Sequence, residues 1–258
     1  MSAYAASALA GVRRLVASPG ELIARAGFYG VIIAVLASLW RAAAEASGGA
    51  IVGYDAAAIT WYVVFSEAAV NGTKFRMIEQ IGTDIGSGAF AVEMLRPVRA
   101  VSFRIAGELG DGVVRLGAMV AAGSVFGTLI AGPPPDALTF ALALASALLA
   151  ISCNLAAQHA FAAMAFWQHE AKGAWFLYQK LVFILGGMLL PLQIFPSWLE
   201  AAAWASPFWT MSYAPARLAA GFDEPGLVLG QAAWLVVLYA AAVAAFAAGE
   251  RHVQREGG

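Results

Sequence analysis

Few residues of this 258-residue chain carry a charge, a thiol or an imidazole. Charged side chains make up 12% of it, against about 25% in soluble globular domains, so the sequence is not that of a soluble protein. The single cysteine, Cys153, lies in an apolar run, which excludes a disulfide framework and a cysteine-based metal site. His159 and His169 have no carboxylate at ligand spacing, so we expect no metal centre.

The short motifs of nucleotide and peptide chemistry are missing as well. The sequence has no GxxxxGK[ST] loop for nucleotide phosphates and no HExxH pair. Ser87 lies between two glycines in a polar stretch, away from any apolar run, so it does not suit an intramembrane protease. No clustered basic face suggests nucleic acid. The sequence therefore predicts no enzyme, no cofactor of its own and no nucleic-acid partner.

Apolar residues dominate instead, at 61% of the chain with a mean hydropathy of +0.74. A helix needs about 20 apolar residues to cross a bilayer, and the chain divides into runs of roughly that length separated by polar turns. We predict one all-α membrane domain over residues 1–258, with six transmembrane helices. The predicted spans are 22–44, 54–75, 105–130, 138–166, 175–190 and 227–248.

The basic residues predict the orientation of these spans. With both termini in the cytoplasm, twelve of the fifteen Lys and Arg residues lie at or near that side. Arg41 and Arg217 fall outside, and Arg115 lies within the third span. The distribution favours a membrane protein with both termini in the cytoplasm. The heavy use of alanine and glycine suggests a bacterium with a GC-rich genome, so we expect a bacterial cytoplasmic membrane protein.

Residues 1–20 predict a helix lying on the cytoplasmic leaflet. Leu9 and Leu15 fall on one side of it, and Arg13 and Arg14 on another, as in interfacial amphipathic helices. A disordered N-terminus is the alternative.

The longest polar interruption runs from 74 to 104, between the second and third spans, and holds five of the basic residues. Within it, residues 78–97 predict one short amphipathic helix, which Pro97 ends. Its apolar side consists of Ile81, Ile85, Phe90, Val92 and Leu95. A helix of this kind on the cytoplasmic side is a surface for a soluble partner.

Four charged residues of alternating sign enter the third span. Arg104, Glu108, Asp111 and Arg115 are four, three and four residues apart and share one helix face, so each acid has a cation one turn away. Paired charges of this kind can enter the membrane. The ladder either sets helix register or relays movement of the preceding cytoplasmic helix.

Glu67 lies two-thirds along the second span, without a basic residue within one turn. An intramembrane acid is a functional candidate, and this one either faces a cavity that admits cations, is protonated, or pairs with the third span. Trp61 and Phe65 of the same span are further candidates for a substrate pathway.

Residues 191–225 are too polar and proline-rich to span, yet too apolar for an ordinary loop. We predict helical pieces that dip into the outer leaflet without crossing it, with aromatic residues at the interface. Ser197 and Glu200 have the spacing of a capping box at the start of one such helix.

Three stretches of the chain resemble the membrane subunits of type-2 ATP-binding-cassette exporters, specifically the small six-span bacterial permeases encoded apart from their ATPase. The first, similar to the family's I-x-S-G … L-L-R-P, is Asp84-Ile85-Gly86-Ser87-Gly88 with Leu95-Arg96-Pro97-Val98, where Met94 replaces the first leucine. The second, similar to P-L-x-F-F-P-x-W-L, is Pro191-Leu192-Gln193-Ile194-Phe195-Pro196-Ser197-Trp198-Leu199. The third, similar to P-F … Y-x-P … G, is Pro207-Phe208, Tyr213-Ala214-Pro215 and Gly221.

The resemblance implies a function for each of these segments. Residues 78–97 would hold the coupling helix that rests in a groove of an ATP-binding subunit, through Asp84, Ile85, Ser87, Phe90, Glu93, Leu95, Arg96 and Pro97. Residues 191–225 would form a lid over the exit, through Pro191, Phe195, Pro196, Trp198, Pro207, Tyr213 and Pro215. The pathway would lie between the first, second and fifth spans.

The resemblance also implies an assembly of two permeases, identical or different, with two ATPases that bind the ATP and magnesium. The expected function is export of an amphipathic or drug-like substrate, cationic for some related permeases. An ion-coupled carrier or a membrane scaffold without an ATPase is the alternative, although a carrier would need inverted repeats that the sequence does not show. An intramembrane enzyme would need a nucleophile and base that we do not find.

Overall fold

The computed structural model describes residues 2–74, 76–95, 97–168 and 171–256, and these ranges are almost entirely helical. A two-stranded antiparallel hairpin precedes the third helix, and two 3-10 turns, Leu192–Ile194 and Phe208–Met211, flank the tenth. The elements in chain order are α1 (Ala3–Val16), α2 (Pro19–Ala46), β1 (Ala50–Ile51), β2 (Tyr54–Asp55), α3 (Ala56–Asn71), α4 (Met77–Gly86), α5 (Ala89–Met94), α6 (Ala100–Ala131), α7 (Ala137–Ala162), α8 (Ala165–Gln168), α9 (Lys172–Leu185), α10 (Ser197–Ala205), α11 (Tyr213–Ala219) and α12 (Gly226–Glu256).

Four helical segments in the described ranges are long and apolar enough to cross a membrane, judged by length and composition: α2, α6, α7 continued by α8, and α12. The other two predicted spans coincide with shorter helices. α3 has 16 residues and α9 has 14. At 1.5 Å per residue they measure about 24 and 21 Å, less than the ~30 Å of a bilayer core.

Local chemistry explains why these two helices are short. The Asp55 carboxylate accepts hydrogen bonds from the backbone N–H groups of Ala57 and Ala58, which starts α3 at that point. α9 ends at Gly186, and Gly187 has a φ of +67°, a backbone conformation that glycine adopts without strain. α3 therefore begins and ends inside the predicted span 54–75, and α9 ends inside the predicted span 175–190.

α3 forms the centre of the fold and packs against α2, α6, α7 and α11. Small residues of α6 allow this packing, because a Cβ added to Gly123 would lie 2.5 Å from the Tyr29 hydroxyl and 2.8 Å from Val64 Cγ1. A Cβ on Gly127 would lie 3.3 Å from Trp61. The two glycines form a Gly-x-x-x-Gly pair, a spacing that lets neighbouring helices approach closely.

A buried amide holds α12 in place. Gln231 donates from Nε2 to the carbonyl oxygens of Ser146 (3.1 Å) and Thr210 (2.7 Å), and its Oε1 accepts from the Ser146 hydroxyl (2.7 Å). Because these buried polar groups satisfy one another, they join α12 to α7 and to the second 3-10 turn.

α1 lies along the first half of α6 with their backbones in contact. The Ser7 hydroxyl donates to the Phe103 carbonyl (3.0 Å), and a Cβ added to Gly110 would lie 2.0 Å from the Ala8 carbonyl oxygen. A Cβ added to Gly11 would lie 2.2 Å from the Gly107 carbonyl oxygen. The predicted N-terminal helix thus exists, and one face of it is covered by α6.

Substituting Gly110 by alanine should destabilise the protein through this contact. The new Cβ would meet backbone rather than a flexible side chain, and overpacking of this kind costs about 1–3 kcal/mol. Thermal unfolding in detergent should then shift down by about 3–10 °C. Gly117→Ala is the matched control on the same helix, because no atom lies within 4 Å of its added Cβ, and alanine favours helix. Equal midpoints for the two variants would contradict the α1–α6 contact.

The single helix predicted over 78–97 is wrong, because the structure divides this segment into α4 and α5. Gly88 separates them with a φ of +78°. The apolar residues consequently do not share one face: Ile81 and Phe90 are buried, whereas Val92 and Leu95 are exposed. Pro97 lies beyond the end of α5, and Arg96 lies outside the described residues.

The predicted capping box is also wrong. The N-cap of α10 is Pro196, and no side chain caps the helix there. Ser197 is the first helical residue, one position too late to act as the cap.

Candidate functional site

A cavity of about 860 Å³ lies between α2, α3 and α9, and two residues of α7 also line it. α2 lines it with Phe28, Val31 and Val35, and α9 lines it with Val182 and Phe183. These helices correspond to the first, second and fifth predicted spans, which the resemblance assigns to the pathway.

The lining changes from polar to apolar along the cavity. α9 starts close to α4, since a Cβ added to Gly82 would lie 2.2 Å from Ala171 Cβ, and the start of α2 shares a crevice with α4 through Arg25. We call this end of the molecule the α4–α5 end. Charged and amide side chains line the cavity there, whereas Met188 and Leu189, beyond the end of α9, line it farther away.

Glu67 lines the cavity with 3% of its surface exposed. Its Oε2 accepts a hydrogen bond from Asn71 Nδ2 (3.2 Å), and the described residues place no Lys or Arg within ion-pair distance of it. The pairing with the third span that the sequence left open is not formed among these residues. Glu67 is therefore a buried carboxyl group without a cationic partner.

Trp61 and Phe65, the other two pathway candidates, pack elsewhere. Both rings lie edge-on to Phe140 of α7, with centroids 5.6 and 5.3 Å apart, and the Trp61 indole donates to the Gly132 carbonyl (3.3 Å). They belong to the core around α3 and not to the cavity lining, because they lie on the faces of α3 that meet α6 and α7.

A buried amide cluster that the sequence reasoning missed lines the same cavity as Glu67. Asn154 Oδ1 accepts from the Tyr178 hydroxyl (2.6 Å) and from Gln158 Nε2 (2.8 Å), and Gln158 Nε2 also donates to Thr73 Oγ1 (3.2 Å). These bonds fix the orientation of both amides. A signal was present in the sequence, because two amides four residues apart share one face of an otherwise apolar span.

An ionic cluster lies next to the cavity, with Asp111 at its centre. This residue is 1% exposed, and its Oδ2 lies 3.3 Å from Arg115, 3.5 Å from Arg14 and 3.6 Å from Lys74. Arg115 also binds Glu21 at 2.9 Å. The cluster thereby joins α1, α2 and α6 to the chain that follows α3.

The ladder predicted along α6 is only partly formed. Within the described residues, Asp111–Arg115 is its only ion pair, since Glu108 pairs with Lys74 (2.8 Å). Arg104 pairs with Glu93 (2.6 Å) and Asp84 (2.7 Å). Arg104 and Glu108 therefore form ion pairs with residues of neighbouring segments and not with each other.

Arg104 and Phe90 fix α4 and α5 to the rest of the molecule. The Arg104 guanidinium bridges Glu93 of α5 and Asp84 of α4, and it lies 5.5 Å from the centroid of the Phe90 ring. Phe90 packs against Phe166 and Phe246, with centroids 5.4 and 5.6 Å apart. Movement of α5 would be transmitted to α6 through charge and to α8 and α12 through packed rings.

The remaining residues predicted to contact a partner lie around these anchors. The Ser87 hydroxyl donates to the Asp84 carbonyl (3.4 Å), and Ile85, near the end of α4, is half-buried. Leu95 is 84% exposed, and Pro97 is exposed beside it. The α4–α5 end therefore exposes the apolar side chain of Leu95, while Arg104 and Phe90 hold α4 and α5 against the rest of the molecule.

The segment predicted as a lid folds at the opposite end. Tyr213 accepts a hydrogen bond from Gln193 Nε2, and its backbone N–H donates to the Gly186 carbonyl (2.9 Å), which ties α11 to the end of α9. The predicted lid residues differ in exposure. Pro191, Tyr213 and Pro215 are buried, Phe195 and Pro207 are half-buried, and Pro196 and Trp198 are exposed.

The sequence was compared with protein families and with curated proteins. Residues 31–257 match the family whose description is ABC-2 family transporter protein. The match begins within α2 and leaves α1 outside it. No curated protein matches the chain.

Proposed function

The chain belongs to the ABC-2 family of transporter proteins, and from this premise we propose how it works as the permease subunit of an ATP-binding-cassette exporter. It is a multi-pass membrane protein, and its resemblance to the type-2 permease family is confirmed. We propose six spans, with the short helices α3 and α9 as the second and fifth. The distribution of basic residues supports placing both termini and the α4–α5 end in the cytoplasm. The resemblance to bacterial permeases supports a bacterial cytoplasmic membrane.

The proposed partner is a cassette ATPase, which binds the ATP and magnesium. Its contact would be the α4–α5 end, where Val92 and Leu95 expose apolar surface over a base fixed by Arg104 and Phe90. A second permease, either a copy of this chain or a related one, would complete the pathway. The 191–225 segment would cover the exit.

The proposed substrate is an amphipathic, drug-like molecule that carries a positive charge. The observation that carries this proposal is the 860 Å³ cavity among α2, α3 and α9, with the unpaired carboxyl group of Glu67 in its lining. Apolar walls suit the body of such a molecule, and a buried carboxylate suits its charge.

Affinity purification of this chain from its native membrane tests the assembly. We expect a cassette ATPase to co-purify in equal amount, and we expect ATP hydrolysis from the complex but not from this chain alone. Leu95→Asp should lose the ATPase by placing a charge in the apolar contact. Val52→Asp, an exposed change at the opposite end, should keep it.

Two results would contradict the proposal. An intact, monodisperse chain without an ATPase in mild detergent would favour an ion-coupled carrier or a scaffold. ATP hydrolysis by the purified chain alone would contradict the assignment of hydrolysis to a separate ATPase subunit.

A further inference from the structure

We infer that the cavity binds an amphiphile whose head is a protonated amine with N–H groups, held by Glu67 and Gln158, and whose apolar tail points away from the α4–α5 end. The inference rests on the proposed function and specifies the substrate class and its orientation.

The first step is the charge of the cavity. Among the described residues that line it, Arg25 pairs with Glu21 (3.1 Å), and Lys74 pairs with Glu108 (2.8 Å) outside the lining. Among the described residues, the Glu67 side chain is left with a hydrogen bond from Asn71 alone. A buried carboxylate without a cation is unfavourable, so a single positive charge in the cavity gains an ion pair that the described residues do not supply.

The second step is the hydrogen-bonding character of the head. Gln158 uses its NH₂ group for Asn154 Oδ1 and Thr73 Oγ1, which leaves its carbonyl oxygen for a molecule in the cavity. Glu67 likewise has Oε1 beyond the oxygen that Asn71 uses. Two acceptors match an ammonium that carries N–H groups. A quaternary ammonium has none and would leave both acceptors unpaired.

The third step is orientation. Glu67 and Gln158 are polar residues of the lining, whereas Val35 and Leu36, in the second half of α2, line the cavity farther from the α4–α5 end. The Ser66 hydroxyl donates to the Met188 carbonyl (3.1 Å), so Met188 lies level with Glu67 and not beyond it. α2 borders the cavity with Phe28, which is 69% exposed, so the cavity is open at its side. A tail is therefore expected to extend along α2, away from the α4–α5 end.

Binding of matched eight-carbon probes to the full chain in lipid nanodiscs tests the head. Radiolabelled octylamine is displaced by octyltrimethylammonium or by octanol, and empty nanodiscs give the partitioning background. Octylamine should bind about tenfold or more tightly than either competitor, because it alone combines charge with N–H donors. Equal affinities for the three probes would overturn the inference.

Glu67→Gln should abolish this preference, while the amide oxygen can still accept from Asn71. Glu45→Gln, an exposed change near the other end of α2, should leave it intact. A preference that persists in folded, monodisperse Glu67→Gln would also overturn the inference.

Photolabelling of the unmodified protein tests orientation without a variant. Octylamine with a diazirine at the end of its tail should label Val35 or Leu36, in the second half of α2. Labelling at Trp175 or Gln179, in the first turns of α9, would reject the orientation.

The binding assay contains no ATPase, so the two proposals fail separately. If a cassette ATPase co-purifies and the cavity shows no preference for octylamine, only the substrate class is wrong. If octylamine is preferred and no ATPase is found, the exporter assignment is wrong and the binding site remains.

Discussion

Arg104→Gln is expected to separate ATP hydrolysis from transport in the assembled exporter. The guanidinium binds Glu93 of α5 at 2.6 Å and Asp84 of α4 at 2.7 Å, and it lies over the Phe90 ring. Charge-assisted hydrogen bonds of this kind contribute about 1.5–3 kcal/mol each. A neutral glutamine cannot bridge two carboxylates in this way. Movement of α4 and α5 would then no longer be transmitted to α6 through these ion pairs.

The expected readout is a transport rate about tenfold lower or more, with ATP hydrolysis by the complex retained; 1.4 kcal/mol of lost coupling corresponds to a factor of ten. Proteoliposomes that contain both subunits allow both rates to be measured on one sample. Arg76→Gln is the matched control, because Arg76 is exposed and its ion pair is with Glu79, on the same α4 segment. Normal coupling in Arg104→Gln would show that this bridge does not transmit movement.

Asp111→Ala is expected to cause the largest loss of stability. The carboxylate is buried and lies within 3.6 Å of Arg115, Arg14 and Lys74. Removing one partner of a buried ion pair leaves an uncompensated charge and costs about 3–5 kcal/mol. Because Arg115 keeps Glu21 and Lys74 keeps Glu108, we expect the lower end of this range, about 3 kcal/mol.

Thermal unfolding in detergent should therefore shift down by about 6–12 °C for Asp111→Ala. Asp223→Ala, an exposed change in the turn before α12, should leave the midpoint within about 2 °C. An unchanged midpoint for Asp111→Ala would place this turn of α6 in water rather than in the interior.

The long helices were predictable because each needs only a sufficient apolar run. Predicted spans 22–44, 105–130 and 227–248 fall inside α2, α6 and α12. The ends of α3 and α9 were not predictable from hydropathy, because a cap at Asp55 and a turn at Gly186 and Gly187 set them. Hydropathy averages over many residues, whereas a cap or a turn depends on one or two.

The site was less predictable, since its contacts join distant parts of the chain. Glu67 was recognisable as an acid in an apolar run. Its neighbours were not, because Gln158 bonds to Thr73, 85 positions away. The ladder on α6 was only partly right for the same reason: spacing shows which charges share a face, but not that Arg104 has better partners on α4 and α5.

Site-specific photocrosslinking in native membranes tests the central claim most directly. A photoreactive amino acid replaces Leu95, which is 84% exposed at the tip of the α4–α5 end, or Val52, which is exposed at the opposite end. If the chain is the permease of a cassette exporter, the Leu95 probe should crosslink to a cassette ATPase and the Val52 probe should not. An ATPase crosslink from Val52, or none from Leu95 in a complex that transports, would contradict the account.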